Sequence, residues 1–399
     1  MKKVLAIVFC FLLCGCSSIQ MEDFEGKTIK EVEDFAKKNN VVIEEKEIYS
    51  NVEKGRIVLQ KPKKGEKLKK KETIYISTSL GRLEDEKYRE NKVNELGKVP
   101  VMMYHGIHNV PSSETKYTGG NVDKDGYQRT AEAFRSDLEM YYQKGYRMIS
   151  LKDYIAGNID VPLGKSPIIL TFDDGLSNNL KVTGIDEKGN IKIDPNSAVG
   201  VLEEFKKKYP DFTVTATFFV NGTLMNQKEY DEKIIKWLVQ NNYDVGNHTK
   251  SHPDFTKIDA VRAETEVGSV YAQLEKIIPN KYVHIVALPF GSPYQKTHSN
   301  FSHIIKANYE GKEYETISTL RVGWESNPSP FDPSFDPFFL KRIRAYDNNG
   351  KDFDITYNFN LLEKTRYISD GNPNNIVIKK EDIEKVKNVK NLQMISYSS

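Results

Sequence analysis

Cysteine is nearly absent. The 399-residue chain holds three, Cys10, Cys14 and Cys16, all inside its first sixteen positions, so the remainder can form no disulfide and offers no thiolate to a metal. An excess of charge of one sign is missing too. The formal charge is +2, and without Lys2 and Lys3 the chain carries 56 basic side chains against 56 acidic ones. Such a balance lacks the electrostatic footprint of a dedicated nucleic-acid binder. The apolar run Val4 to Leu13 is too short to span a bilayer as a stable helix. No internal repeat is evident. What is present is ample core material, 38% hydrophobic and 11% aromatic, which excludes wholesale disorder. The length fits one large domain and one small one.

Lys2-Lys3, the apolar run and the small residues behind it read as an export signal. The end of that segment, Leu13-Cys14-Gly15-Cys16, resembles the lipobox of bacterial lipoproteins. The resemblance implies that residues 1–16 are a signal peptide, that Cys16 is lipidated, and that the protein is anchored on the outer side of a bacterial cell membrane.

Residues 22–81 show a small α+β pattern. Thr28 and Glu31 form a capping box ahead of Ile29, Val32, Phe35 and Ala36 at helical spacing. Val41-Val42-Ile43, Ile57-Val58-Leu59 and the alternating Ile74 and Ile76 read as strands, with turns at Asn51–Gly55 and at Pro62 and Gly65. Phe24-Glu25-Gly26-Lys27-Thr28, Lys54-Gly55, Gln60-Lys61-Pro62 and Ile74-Tyr75-Ile76-Ser77 resemble a PASTA domain, which implies extracytoplasmic work, often near peptidoglycan. Seven lysines lie between Lys61 and Lys71, a solvated basic face or an attractor of anionic wall polymer or lipid headgroups. Residues 82–98 are dense in mixed charge and read as a solvated linker, with a helix as an option.

From Val99 to the end, strands alternate with helices. Strands are expected at Pro100–Tyr104, Ile168–Phe172, Ala216–Val220, Tyr243–Gly246, Ile285–Leu288 and Thr316–Leu320. Helices are expected around Phe134–Tyr142 and at Val201–Lys208, Glu229–Asn241 and Ala260–Ile278. Repeated β-then-α units of this length indicate a parallel sheet, open or closed into a barrel. Ser177–Pro195 interrupts the alternation as a loop or hairpin.

Three segments at expected strand ends carry chemistry. Asp173 and Asp174 close an apolar strand and can face one site only if the chain breaks at Gly175. His248 and His252, at i and i+4, can share a helix face and chelate one divalent ion. Leu288-Pro289-Phe290-Gly291 is a turn able to wall a pocket. Strand ends are where parallel α/β proteins assemble their sites. Together Thr171-Phe172-Asp173-Asp174-Gly175, His248-Thr249-Lys250-Ser251-His252 and Ala216-Thr217-Phe218-Phe219-Val220 resemble the NodB-homology polysaccharide deacetylases, carbohydrate esterase family 4.

That resemblance implies a distorted (β/α) barrel and a monomeric hydrolase taking N-acetyl groups from peptidoglycan or poly-N-acetylglucosamine. It implies Asp174, His248 and His252 as ligands of a metal, zinc above cobalt, nickel or manganese, and Asp173 as catalytic base. Two features depart from the family pattern. Ala287 stands where the third motif carries an arginine, and no histidine follows His303. Some poly-N-acetylglucosamine deacetylases place the acid histidine near the start of the domain, which points to His105 in Met103-Tyr104-His105-Gly106-Ile107, with His108 as rival. Pro289, Phe290, Gly291 and Arg342 are expected at the substrate, Arg342 alternatively orienting a catalytic group. The competing readings are an O-acetyl polysaccharide esterase and a wall-binding lipoprotein with an impaired catalytic domain.

Overall fold

A computed structural model describes residues 19–387, 389 and 392–398; the expected signal segment and Cys16 lie outside the described residues. Contacts divide the chain into one unit ending at Glu90 and another running from Asn91 to Tyr397. The charged stretch 82–98 is not a uniformly solvated linker. Leu83–Glu90 is a helix, while Val93 and Glu95 are buried.

In the smaller unit the Thr28 and Glu31 box opens the helix Ile29–Asn39, the Thr28 N–H donating to Glu31 Oε2 at 2.9 Å. Val32, Phe35 and Ala36 are its buried stripe, and Asn40, at φ 54°, ends it in the left-handed conformation. Strand Thr73–Ser79 is central, parallel to Val42–Ile48 and antiparallel to Ile57–Lys61. Ile19–Gln20 pairs separately with Lys67–Leu68. Phe24, Phe35, Ile57, Leu68 and Ile76 are among the core residues.

The larger unit is built on eight parallel strands: β1 (Val101–Tyr104), β2 (Tyr146–Met148), β3 (Ser166–Phe172), β4 (Thr217–Val220), β5 (Asp244–Asn247), β6 (Ile285–Ala287), β7 (Ser318–Leu320) and β8 (Ile343–Arg344). The order is β7-β6-β5-β4-β3-β1-β8, and β2 pairs with Ser166–Ile168 of β3, ahead of the stretch where β1 takes over. All six expected strands are in this sheet. All seven residues of β3 and all four of β1 are buried, as in a parallel sheet covered on both faces. Helices Ala131–Gln143, Ala198–Lys208, Asp231–Gln240 and Ala260–Ile277 lie between successive strands. Three of them open on side-chain caps, Thr130, Ser197 and Asp259. Isolated bridges Leu320–Leu340 and Trp324–Ile343 connect the β7 end of the row to the chain entering β8, so the sheet curls into the expected distorted (β/α) barrel. The interruption expected at Ser177–Pro195 contains the hairpin Val182–Ile185 with Ile191–Ile193.

Candidate functional site

The chemistry-bearing residues converge at the C-terminal ends of the strands. His105 follows β1, Asp173 and Asp174 follow β3, and His248 follows β5. The ladder runs on past the strands to hold them: Asp173 N–H donates to Tyr104 O at 3.0 Å, and His248 N–H to Val220 O at 2.9 Å. After Phe172 the chain turns through Asp174 (φ 72°) and Gly175 (φ 54°). A Cβ on Gly175 would stand 1.9 Å from Leu224 O, so both conformation and space require glycine there. This break ends the strand alternation and brings the two carboxylates to one site.

Asp174 Oδ1 lies 3.2 Å from His248 Nε2 and 3.7 Å from His252 Nε2. One ligand atom from each of the three residues falls within 4.8 Å of the others. His248 Nδ1 sits 2.8 Å from Ala287 O, which makes Nδ1–H the donor and leaves the lone pair on Nε2. That Nε2 is buried without a hydrogen-bond partner. A buried imidazole lone pair with no proton to meet, beside a carboxylate and a second imidazole, fits a divalent cation. The expected helix turn joining His248 to His252 is not formed. The segment is a loop with Thr249 at φ 67° and His252 at φ 56°, because Asn247 Oδ1 accepts from Thr249 N–H and Glu266 accepts from Ser251 N–H. The two rings still meet, 4.8 Å apart.

Arg342 is expected either at the substrate or orienting a catalytic group, and the structure separates the two. Arg342 does not face the substrate cleft but is fully buried, and its two terminal nitrogens donate to Asp173 Oδ1 and Oδ2, each at 2.7 Å. Its Nε donates to Arg321 O, fixing the guanidinium plane. Burial pushes the Asp173 pKa up, but Arg342, with His248 and His105, outweighs it and holds the carboxyl well below the usual range. His105 Nε2 stands 4.0 Å from Asp173 Oδ2, and the Tyr127 ring meets the imidazole edge-on. Burial lowers the His105 pKa, against the opposing pull of Asp173 and Asp174. The rival His108 is turned to Gln128 Oε1 at 2.9 Å. His284 lies at the opposite end of the sheet beside Glu315 O, and His303 pairs with Glu264.

Asn179 carries no signal in the sequence. Its side chain donates to His105 O at 2.6 Å and accepts from Leu176 N–H at 3.1 Å, tying the loop after β1 to the loop after β3. An asparagine in a polar loop has no periodicity that would mark it.

The site opens into a cleft of about 470 Å³, walled by Tyr127, Gln128, Leu288, Phe290 and Val322. Of the three turn residues expected at the substrate, Phe290 is exposed there, its ring 4.6 Å from that of His252. Pro289 and Gly291 are instead buried and shape the turn that presents it. A cleft of about 510 Å³ at the other end of the sheet includes Asp153, Asp160 and Asp244, but no histidine, and Asp244 is paired with Lys152 at 2.7 Å.

Residues 160–304 match the family model of polysaccharide deacetylase, and residues 19–80 that of the PASTA domain. The chain carries a polysaccharide deacetylase domain and a PASTA domain. An uncharacterized protein of Geobacillus stearothermophilus is 30% identical over 127 residues, which is 32% of this chain and 39% of that relative, so the match spans about two fifths of its length. Among solved structures, a Streptococcus pyogenes deacetylase, PplD, crystallised with acetate, is similar at TM-score 0.45 and 20% identity, covering 63% of this chain and 93% of that one. A Bacillus cereus polysaccharide deacetylase is similar at TM-score 0.46 and 20% identity, covering 67% and 69%.

Proposed function

We propose that the deacetylase domain is a metal-dependent enzyme that hydrolyses N-acetyl groups of an extracytoplasmic amino-sugar polysaccharide, peptidoglycan or poly-N-acetylglucosamine. The observation that carries this reading is the unpartnered, buried His248 Nε2 grouped with Asp174 and His252 beside a second, ionised carboxylate. Asp174, His248 and His252 hold the ion in this reading, and two imidazoles with a carboxylate suit zinc, with cobalt, nickel or manganese as substitutes. Bound there, the ion would polarise an acetamide carbonyl and acidify a water molecule. Asp173, outside the triplet and fixed by Arg342, takes the proton of the attacking water. The amine cannot leave as an anion near neutral pH, so a proton must reach it as the carbon–nitrogen bond breaks. His105 delivers it, its Nε2 4.0 Å from the carboxylate that gathered the first proton. Phe290 and Tyr127 line the cleft and supply aromatic surface for a sugar.

In the same reading residues 1–16 direct export, Cys16 carries the lipid, residues 22–81 stand between anchor and enzyme, and the catalytic domain runs from residue 99 to 399. Among the described residues no helix is long and apolar enough to cross a membrane. Metal analysis alongside acetate release from peptidoglycan, chitooligosaccharides and acetylated xylan tests the activity. His248→Ala, His252→Ala and Asp174→Ala are each expected to lose bound metal and acetate release together; full metal content in any of them removes that residue from the ligand set. Cys16→Ser is expected to move the protein from the membrane to the soluble fraction without loss of catalysis, and unchanged retention contradicts the anchor.

A further inference from the structure

We propose that the lysine-rich hairpin of the smaller unit, residues 61–71, is a docking surface for an anionic lipid bilayer; the proposal takes the Cys16 anchor as its setting. All seven lysines of this stretch are exposed, while Leu68 turns into the core. The two acids among and beside them offset only two of the seven positive charges. Glu66 and Glu72 each use a carboxylate oxygen to accept a backbone N–H, from Lys63 at 2.8 Å and from Lys69 at 2.7 Å, and so close the turns. Among the described residues, the ion pair on this stretch joins exposed Lys64 to exposed Asp23 at 3.3 Å. Seven lysines against two glutamates therefore leave a strongly positive edge facing solvent.

The second observation is where the chain joins the unit. Ile19 pairs with Leu68 and Gln20 with Lys67, Met21 N–H donates to Glu66 O, and Gly65 N–H donates to Met21 O. The first described residues thus run along the hairpin itself. Cys16 is three positions before Ile19, at most about 10 Å of extended chain. A bilayer that holds Cys16 is consequently at most about 10 Å of chain from the strand that pairs with Lys67 and Leu68, which brings this lysine-rich stretch near anionic headgroups that attract it. Such docking fixes which edge of the unit faces the membrane, which a flexible anchor alone does not.

The test uses residues 16–399 carrying Cys16→Ser, so that no lipid contributes, floated with vesicles of phosphatidylcholine containing about one third phosphatidylglycerol and with vesicles of phosphatidylcholine alone. Binding is expected to the anionic vesicles only, and to fall as salt is raised. The combined change Lys67→Gln, Lys69→Gln, Lys70→Gln and Lys71→Gln is expected to weaken it by about ten-fold or more. The same number of changes elsewhere in the unit, Lys37→Gln, Lys38→Gln, Lys46→Gln and Lys54→Gln, is expected to change it less than about two-fold. Equal binding to both vesicles, equal loss in both variants, or no vesicle binding would overturn the proposal. Capture by a phosphate-rich wall polymer in place of vesicles would overturn it as well. Because the assay contains no lipidated protein, its failure leaves the anchor to be judged separately, by the fractionation of Cys16→Ser cells.

Discussion

Two carboxylates of the larger unit are each 2% exposed and end in opposite states. Glu95 accepts backbone N–H groups from Asp370 and Val377, yet burial, reinforced by the nearby Asp370 charge, pushes its pKa up to about 8. Asp173 is buried as deeply, but a guanidinium meets both of its oxygens and its pKa falls. Burial alone neutralises a carboxyl group, and backbone donors do not fully reverse that. At Asp173 the Arg342 guanidinium, helped by His248 and His105, does. Glu95 ties the start of the larger unit to the late strand Asn375–Lys379 and can rest as an acid. In the proposed mechanism Asp173 has to be an anion to accept a proton.

The hardest blow to this comparison is Arg342→Met, which leaves Asp173 buried without its guanidinium. Acetate release is expected to fall about 10²-fold to 10⁴-fold with metal content retained. Unfolding free energy is expected to fall by about 3–5 kcal/mol, the usual result of stranding a buried charge, measured by chemical denaturation. Wild-type turnover in that variant would show that Asp173 needs no partner. His105→Ala tests whether Asp173 works alone. A loss of about 10²-fold with metal retained is expected from steady-state rates, and near-normal turnover would assign the proton delivery to another group.

Glu95→Gln gives the smallest effect and sharpens the other side. Because the folded pKa lies above the unfolded one, the native state holds the extra proton between pH 4.5 and about 8. The contribution of Glu95 to stability is therefore largest below that window and declines as pH rises through it, by a few kcal/mol at most. Denaturation midpoints of Glu95→Gln are expected to lose that component of the slope, even where one hydrogen bond is lost outright. A slope equal to wild type would show that Glu95 is ionised in the native state, as Asp173 is.

The same contrast explains what is legible in the sequence. Asp173 and His105 each stand directly behind an apolar run, and His248 behind a short strand in which Tyr243 and Val245 alternate with Asp244 and Gly246, so strand periodicity carries them to one end of the sheet. The Asp-Asp-Gly break carries Asp174 with them. Arg342 has no such signal. It lies 169 residues from its partner and enters just before β8, which has two residues and no alternation to detect. Ala287 stands where the family motif carries an arginine, while the guanidinium bound to Asp173 arrives from Arg342, so a local motif comparison registers only an absence. β2, three residues long, is hidden for the same reason of brevity. The loop linking His248 and His252 reads as a helix turn because i and i+4 spacing fits both. Side-chain caps from Asn247 and Glu266 decide between them, and their partners are visible only in three dimensions.

Central to the proposed mechanism is that Asp173 is a base beside the three proposed metal ligands and is not one of them. Asp173→Asn keeps the shape of the side chain and removes its charge, so metal content and acetate release of that variant, measured on the same preparation, separate the two roles. Metal content is expected to stay close to wild type while acetate release falls about 10²-fold to 10⁴-fold. An emptied metal site, or acetate release at the wild-type rate, would contradict it.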